Sequence, residues 1–267
     1  KIVHLYHDSA FGKEPIPVLD ELSKKYGYET LKIPVTPPGQ TQESQWLQIR
    51  QAKPDYVILW GWGVMNPTAL KAAAKVGFPR DKVLGVWWAG SEEDVIPAGD
   101  AAKGYVTAAF SAPGTNFPVM QDIKGKLYAT GKGNLEDPTR LGSIYHTRGV
   151  SYGIIIVEAI RKAQEKFGKK PLTGEQVRWG IENLAIDDKK IKALGLEGLM
   201  LPISTSCVDH MGVTQARMMQ WDGKKWTVDP KPVQADMAII KPMIDQAARK
   251  YAEEKKITYR DCAKDAG

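Results

Sequence analysis

The sequence has no long apolar run. Residues 153–160 are apolar, but the stretch is short and flanked by charge. No segment reaches the roughly 20 apolar residues that a membrane-crossing helix needs. Cysteine is scarce: Cys207 and Cys262 are the only two. They form no Cys-x-x-Cys pair, which argues against a thiolate metal site. In an exported protein they would close one disulfide, and a loop of about 55 residues would make it worth about 4 kcal/mol in the chain-entropy account. In a cytosolic protein they would be two buried thiols. Cys262 lies in a polar tail beyond the last predicted helix and needs a tether, which favours the bridge.

The usual signatures of nucleotide binding and hydrolysis are also missing. Gly12-Lys13 suggests a phosphate loop, but His7 stands where that loop needs glycine and Glu14 where it needs Ser or Thr. Gly61-Trp62-Gly63 lacks the third glycine of a dinucleotide fingerprint, and Trp62 would block the approach to a pyrophosphate. No G-x-S-x-G elbow is present. His4 and His7, three apart on or beside a strand, point to opposite faces and read as a strand histidine and a rim histidine rather than as metal ligands. Glu92, Glu93 and Asp94 follow Gly90-Ser91 and read as acids favouring a helix N-terminus rather than as a catalytic pair. Asp209-His210 has no nucleophile nearby in sequence. With no constellation for catalysis, the chain reads as a non-enzyme with no cofactor and no metal.

What is present is ordinary globular composition: 267 residues, 43% hydrophobic and 25% charged, enough for one large or two small domains. The net charge is +6. Its Lys and Arg are scattered over helical stretches such as 161–170 and 249–256, which read as solvated faces. They form no basic stripe with interleaved aromatics, so nucleic acid is not the expected partner. No internal repeat or low-complexity tract is visible. The chain opens directly in a strand, Lys1-Ile2-Val3-His4-Leu5-Tyr6, with no leader, and reads as mature or cut.

The first 110 residues alternate regularly. Strands are predicted at 2–6, 28–35, 55–60, 82–87 and 104–109, with helices at 14–26, 42–52, 66–76 and about 92–98. Thr41 is the expected cap of the second helix. Such alternation implies a parallel sheet covered by helices on both faces. Residues 116–185 are then predicted helical, over about 117–130, 144–167 and 174–184, with Val150, Ile154, Val157 and Ile160 as a core stripe. Strand signals return at 198–203 and 214–221. Trp221-Asp222-Gly223-Lys224-Lys225-Trp226 reads as a hairpin, since Asp-Gly suits a tight turn. A last helix is predicted over about 240–254.

Tryptophan is placed unusually. Trp60, Trp62, Trp87 and Trp88, four of the eight in the chain, fall where two consecutive predicted strands run out. Phe11 falls at the equivalent place after the first strand. In an open α/β sheet, ligands bind beyond the carboxyl ends of the strands. Core rings usually lie inside strands and helices, whereas these sit in glycine-punctuated turns. The pattern points to a protein that grips a flat or apolar small molecule.

Tyr6-His7-Asp8-Ser9-Ala10-Phe11-Gly12-Lys13 resembles the opening of the second lobe of a type I solute-binding protein of ABC transporters, in particular the branched-chain amino-acid and aromatic-acid branch. Lys53-Pro54-Asp55-Tyr56-Val57, the stretch Gly99-Asp100-Ala101-Ala102-Lys103-Gly104-Tyr105, Tyr145-His146-Thr147-Arg148-Gly149 and Gln220-Trp221-Asp222-Gly223-Lys224 are similar to the family in the family's order. The resemblance implies an α/β type I periplasmic binding fold: two flavodoxin-like lobes with parallel sheets, joined by crossovers, with the ligand in the cleft. On that template 1–111 form the second ligand-binding lobe and 112–211 the returning part of the first lobe, while 212–267 complete the second lobe and add a C-terminal helix and tail. The opening part of the first lobe, on the order of a hundred residues or more, is expected to precede Lys1; without it residues 116–203 would lack the sheet they normally cover and would expose apolar stripes such as Ile154 and Val157.

The resemblance also implies a site, a compartment and partners. Ligand contacts would come from Ser9, Ala10, Phe11, Trp60, Gly61, Trp62, Trp87 and Trp88, with His146 and Arg148 from the other lobe. Amino-acid binders of the family use an acidic residue after the fourth strand, against the ligand's ammonium. Here that position reads Val86-Trp87-Trp88-Ala89, so a ring replaces the acid. The expected ligand is therefore an aromatic or aliphatic carboxylate rather than an amino acid, with Arg148 as a bidentate anchor. The exported family implies a periplasmic location, an oxidised Cys207–Cys262 pair and an ABC transporter permease as partner. Branched-chain amino-acid binding, a ligand-sensing regulator or amide sensor on the same fold, and an enzyme using the same cleft are the competing readings.

Overall fold

The computed structural model describes residues 1–263. The chain divides into two compact units: Lys1–Phe110 with Ala216–Val233, and Ser111–Gln215 with the residues from Gln234 onward.

The first unit is a layered α/β body. Its strands are β1 (Ile2–His7), β2 (Thr30–Val35), β3 (Tyr56–Trp60), β4 (Val83–Gly85) and β5 (Val106–Ala109). Its helices are α1 (Ala10–Lys13), α2 (Ile16–Tyr26), α3 (Glu43–Ala52), α4 (Met65–Lys75) and α5 (Glu92–Val95). Neighbouring strands run β2-β1-β3-β4-β5, all parallel. The strand order reverses between β1 and β3, which is the switch point of a flavodoxin-like sheet. The predicted helix over 14–26 is broken at its start: Pro15 is not part of a continuous helix, and a separate turn, α1, follows β1 directly. The second helix starts from Gln42 rather than Thr41, because Gln42 is drawn inward to donate to Gly39 O and Met65 O at 2.7 and 2.9 Å. The sheet core of Val3, Leu5, Ile33, Val35, Val57 and Leu59 is fully or almost fully buried, and Trp46, Ile49 and Leu70 pack from the helix layer.

The second unit is mostly helical: α6 (Pro118–Lys126), α7 (Ile144–Phe167), α8 (Gly174–Glu182), α9 (Asp188–Ala193) and α10 (Met237–Lys255), with the short antiparallel pair β6 (Ala185–Ile186) and β7 (Ile203–Ser204). Only the end of the strand predicted at 198–203 forms. Its core gathers Ala159, Leu184, Ile186, Ile191, Leu196, Leu199 and Met200, with Ile154 and Ile155 packed against them. The stripe expected on α7 is rotated. Its buried residues are Ile144, Thr147, Ser151, Glu158, Ala159 and Ala163, whereas Val157 is 46% exposed. Glu158, beside it, is buried and meets Arg161 and Lys190, while Tyr152 and Ile156 are exposed like Val157.

The expected hairpin forms between β8 (Gln215–Trp221) and β9 (Trp226–Val228), with Trp221 opposite Trp226. Asp222 Oδ1 accepts from the amides of Lys224 and Lys225, both at 2.8 Å, and Gly223 takes the positive φ of the turn. β8 adds antiparallel to β5, and β10 (Val233–Gln234) lies at the outer edge. Within 212–267, Ala216–Val233 group with the first 110 residues, and the C-terminal helix α10 groups with the second unit.

Candidate functional site

β1, β3, β4 and β5 are neighbours and parallel, so their carboxyl ends form one rim. At the end of β1 the chain turns sharply. Ser9, in extended backbone, caps α1 by accepting from the Gly12 amide at 3.5 Å, and its hydroxyl also meets His7 Nδ1 at 2.8 Å. A β-carbon on Gly12 would land on the His7 carbonyl, so only glycine permits this turn. The turn sets Ala10 at the surface and Phe11 half-buried against Trp60, ring centroids 6.1 Å apart. The amides of Ala10 and Phe11, in the first turn of α1, have no carbonyl one turn earlier to bond.

After β3, Trp60 is half-buried and Trp62 is 56% exposed, its ring 5.9 Å from that of His7. Trp60 Nε1 is buried and has no hydrogen-bond partner, an uncommon state for an indole donor. A β-carbon on Gly61 would press on Asn66 Oδ1 and Met65 Sδ at 2.6 and 2.9 Å, so glycine lets the backbone pass closely over α4. After β4, Trp87 and Trp88 lie with centroids 4.2 Å apart, and Trp87 meets Phe110, the residue after β5, at 5.8 Å. Trp88 is 42% exposed. None of Phe11, Trp60, Trp62, Trp87 and Trp88 belongs to the buried core.

A polar scaffold supports the β4 side of this rim. Ser91 and Asp94 form a reciprocal cap on α5, and Asp94 Oδ1 accepts from Asn66 Nδ2 at 2.8 Å. Tyr105 donates to Ala89 O at 2.8 Å. Burial, with the Asp94 charge as a smaller cause, pushes the Tyr105 phenol well up, so it stays a neutral donor. Asp94 thus acts as a helix cap, as its position after Ser91 implied.

The remaining sequence candidates lie in the second unit. His146 and Arg148 are half-buried in the first turns of α7. His146 Nε2 meets the Tyr128 hydroxyl at 3.1 Å, and burial pushes its pKa down, so it is neutral at pH 7. The Arg148 guanidinium sits 5.3 Å from the Tyr145 ring centre. Cys207 and Cys262 are joined in a disulfide, with Cα atoms 5.7 Å apart. His210 pairs with Glu182 at 3.2 Å.

His4 is fully buried, and burial lowers its pKa; its Nε2 meets Gly12 O at 2.9 Å. Among the described residues no group of three or more His, Cys, Asp or Glu is placed to hold a metal, and no helix is long and apolar enough to cross a membrane. A groove of about 470 Å³ between α3 and α4, lined in part by Leu47, Arg50, Lys71 and Lys75, lies on the helix layer and involves none of the rim residues.

Sequence reasoning overlooked one rim residue, Phe110, whose ring meets Trp87. Phe110 was hidden by ending a strand at 109.

The family profile for periplasmic binding proteins matches residues 1–225. A solved structure described as an ABC transporter permease from the Pseudomonas fluorescens group is 47% identical, with a TM-score of 0.94, over 98% of this chain and 63% of its own length. A branched chain amino acid ABC transporter protein from Thermus thermophilus, with bound valine, is 22% identical with a TM-score of 0.72, over 91% of this chain and 62% of its own. A solute binding protein from R. palustris in complex with benzoate is 17% identical with a TM-score of 0.61, over 88% of this chain and 60% of its own. The chain therefore spans less than two thirds of the length of these structures. A comparison with curated proteins returns no match. With the parallel sheet, its switch point and this match over most of its residues, the chain belongs to the periplasmic binding protein family.

Proposed function

We propose that the protein is the substrate-binding component of an ABC transporter, that it works in the periplasm, and that the rim of its first unit binds a small apolar or aromatic carboxylate. One observation carries the reading: four of the chain's eight tryptophans stand at the carboxyl ends of the adjacent strands β3 and β4, outside the core. Exposed rings grouped in this way mark an interaction site rather than packing. The body of the ligand lies against Phe11, Trp60, Trp62, Trp87 and Trp88, and Gly61 keeps the floor between them low.

Rings alone do not suffice. Burying about 200 Å² of apolar surface yields about 5 kcal/mol before the cost of association. A micromolar binder needs about 8 kcal/mol net. Polar contacts fall to the Ser9 hydroxyl and the Ala10 amide. The missing acid at Val86-Trp87-Trp88-Ala89 speaks against a ligand ammonium. In this reading Lys1–Phe110 with Ala216–Val233 correspond to the second ligand-binding lobe and Ser111–Gln215 to the returning part of the first; the role is delivery, without turnover.

Tryptophan fluorescence and calorimetry with benzoate, phenylacetate, hexanoate, valine and leucine test this. Micromolar binding of at least one acid, with both amino acids weaker by about tenfold or more, is expected. Tight leucine or valine binding with no response to the acids would refute the ligand class.

A further inference from the structure

α3 follows β2 and α4 follows β3, and each leads into a strand parallel to the one before it. The two helices therefore run in the same direction, away from the rim. The groove of about 470 Å³ between them is lined from α3 by Glu43, Trp46, Leu47 and Arg50. Spacings of three and four residues place these side chains on one helix face. Lys71, Ala72 and Lys75 line it from α4, with Val76 just beyond. The groove is asymmetric. Glu43, the first residue of α3, stands at one end. Arg50, Lys71 and Lys75, in the carboxyl-terminal halves of the two helices, stand at the other, about 10 Å away along the axis at the usual rise per residue.

The stretch between the ends is apolar. Leu47 is 51% exposed, and Ala72 and Val76 are half-buried. A cation near the carboxyl end of a helix favours the helix dipole, which accounts for Arg50 on α3 and Lys75 on α4. Lys71 exceeds that need: it stands one turn before Lys75, a spacing at which like charges repel. Among the described residues none of these three cations forms an ion pair or a side-chain hydrogen bond. Exposed ion pairs are individually weak, so a bare anion gains little here. An apolar chain alone would leave the like charges uncompensated. A molecule with both parts gains from both. Glu43 at the far end repels a second negative charge, which disfavours a peptide acidic along its length and suits a molecule charged at one end only.

We propose that the α3–α4 groove is a second binding site, for a free single-headed anionic amphiphile such as a medium-chain carboxylate. The head lies among Arg50, Lys71 and Lys75, and the chain lies along Leu47 and Ala72. The volume falls in the range of small-molecule sites. This site is separate from the rim and does not depend on the ligand assigned there.

Calorimetry with decanoate, decanol and acetate, at low and high salt, tests it. The proteins are the wild type, Lys71→Glu with Lys75→Glu, Leu47→Asp, and Trp88→Ala, with circular dichroism reporting folding. The wild type should bind decanoate, with decanol and acetate each weaker by about tenfold or more. Salt should weaken decanoate binding. Both groove variants should lose about tenfold or more in affinity, whereas Trp88→Ala should retain a decanoate site of wild-type affinity. No decanoate binding by the wild type, equal binding of decanol, or unchanged affinity in the double variant overturns the proposal. A loss in Trp88→Ala as large as in the groove variants assigns decanoate to the rim and overturns it too. Sedimentation with phosphatidylglycerol vesicles is the last arm: if the wild type binds vesicles through Lys71 and Lys75 but not free decanoate, the face meets a membrane and the proposal falls. Should the double variant not fold, Lys71→Gln with Lys75→Gln is judged by the same criteria.

Discussion

The two units differ in where they place large rings and ion pairs. In the first, a parallel sheet supplies the buried apolar core, and the large rings at its rim are half-buried or exposed. In the second, two carboxylates are turned inward: Glu158 is held by Arg161 and Lys190, and Glu182 by Arg260 and His210. The tail is tied down by Cys207–Cys262 and by Arg260, whose second nitrogen donates to Glu182 at 2.9 Å. A unit whose strands already bury a core can spare tryptophans for a surface. A unit built on short strands and separate helices is held by cross-links and ion pairs.

The sharpest way to break this contrast lies within the first unit. Trp46 is fully buried in α3, so Trp46→Ala should cost about 3–5 kcal/mol in urea unfolding. If it costs no more than the rim variants below, the division between core and rim is wrong.

The next effect belongs to the second unit. Reducing the disulfide, or replacing both cysteines by serine, should remove about 2–4 kcal/mol. Hydrogen exchange should then rise in α8 and the tail while β1 and β3 keep their protection. Equal loosening of β1 would contradict the contrast.

A smaller effect concerns acid. The hydrogen bond from Arg260 holds the Glu182 carboxyl below its usual value, against the pull of burial. Burial raises Glu158 too, but the hydrogen bonds from Lys190 and Arg161 outweigh it, and the net shift is down. A carboxyl depressed in the folded state adds stability that is complete above its unfolded pKa of about 4.3 and is lost as pH falls through the folded value. The second unit should therefore weaken below about pH 4.3. Glu182→Gln should cost about 2 kcal/mol at pH 7 and flatten that acid loss. An unchanged pH profile in the variant would show that Glu182 plays no part.

The smallest change in stability is expected at the rim. Trp62→Ala and Trp88→Ala should each shift unfolding by no more than about 0.5 kcal/mol and weaken ligand binding by about 1–3 kcal/mol. Melting and affinity measured on the same two variants decide the matter. Easy unfolding with normal binding by the folded remainder would mean that these rings are core.

The sequence alone determined the alternation of strands and helices over the first 110 residues, because Gly and Pro stops and apolar periodicity are local. It also placed Ser9, Phe11, Trp60, Trp62, Trp87 and Trp88 at strand ends, since a ring beside glycine in a turn is visible without coordinates. Tertiary structure decided the rest. Periodicity on α7 marked both Ile154, which packs on the core, and Val157, which is exposed, and that Glu158 is buried against Lys190, 32 positions away, is not visible in the helix alone. That Cys207 meets Cys262 depended on the path of the tail. The antiparallel pairing of β8 with β5, across more than a hundred residues, is of the same kind. Register between distant strands is set by packing and hydrogen bonding of the whole sheet, and no local pattern in either segment encodes it.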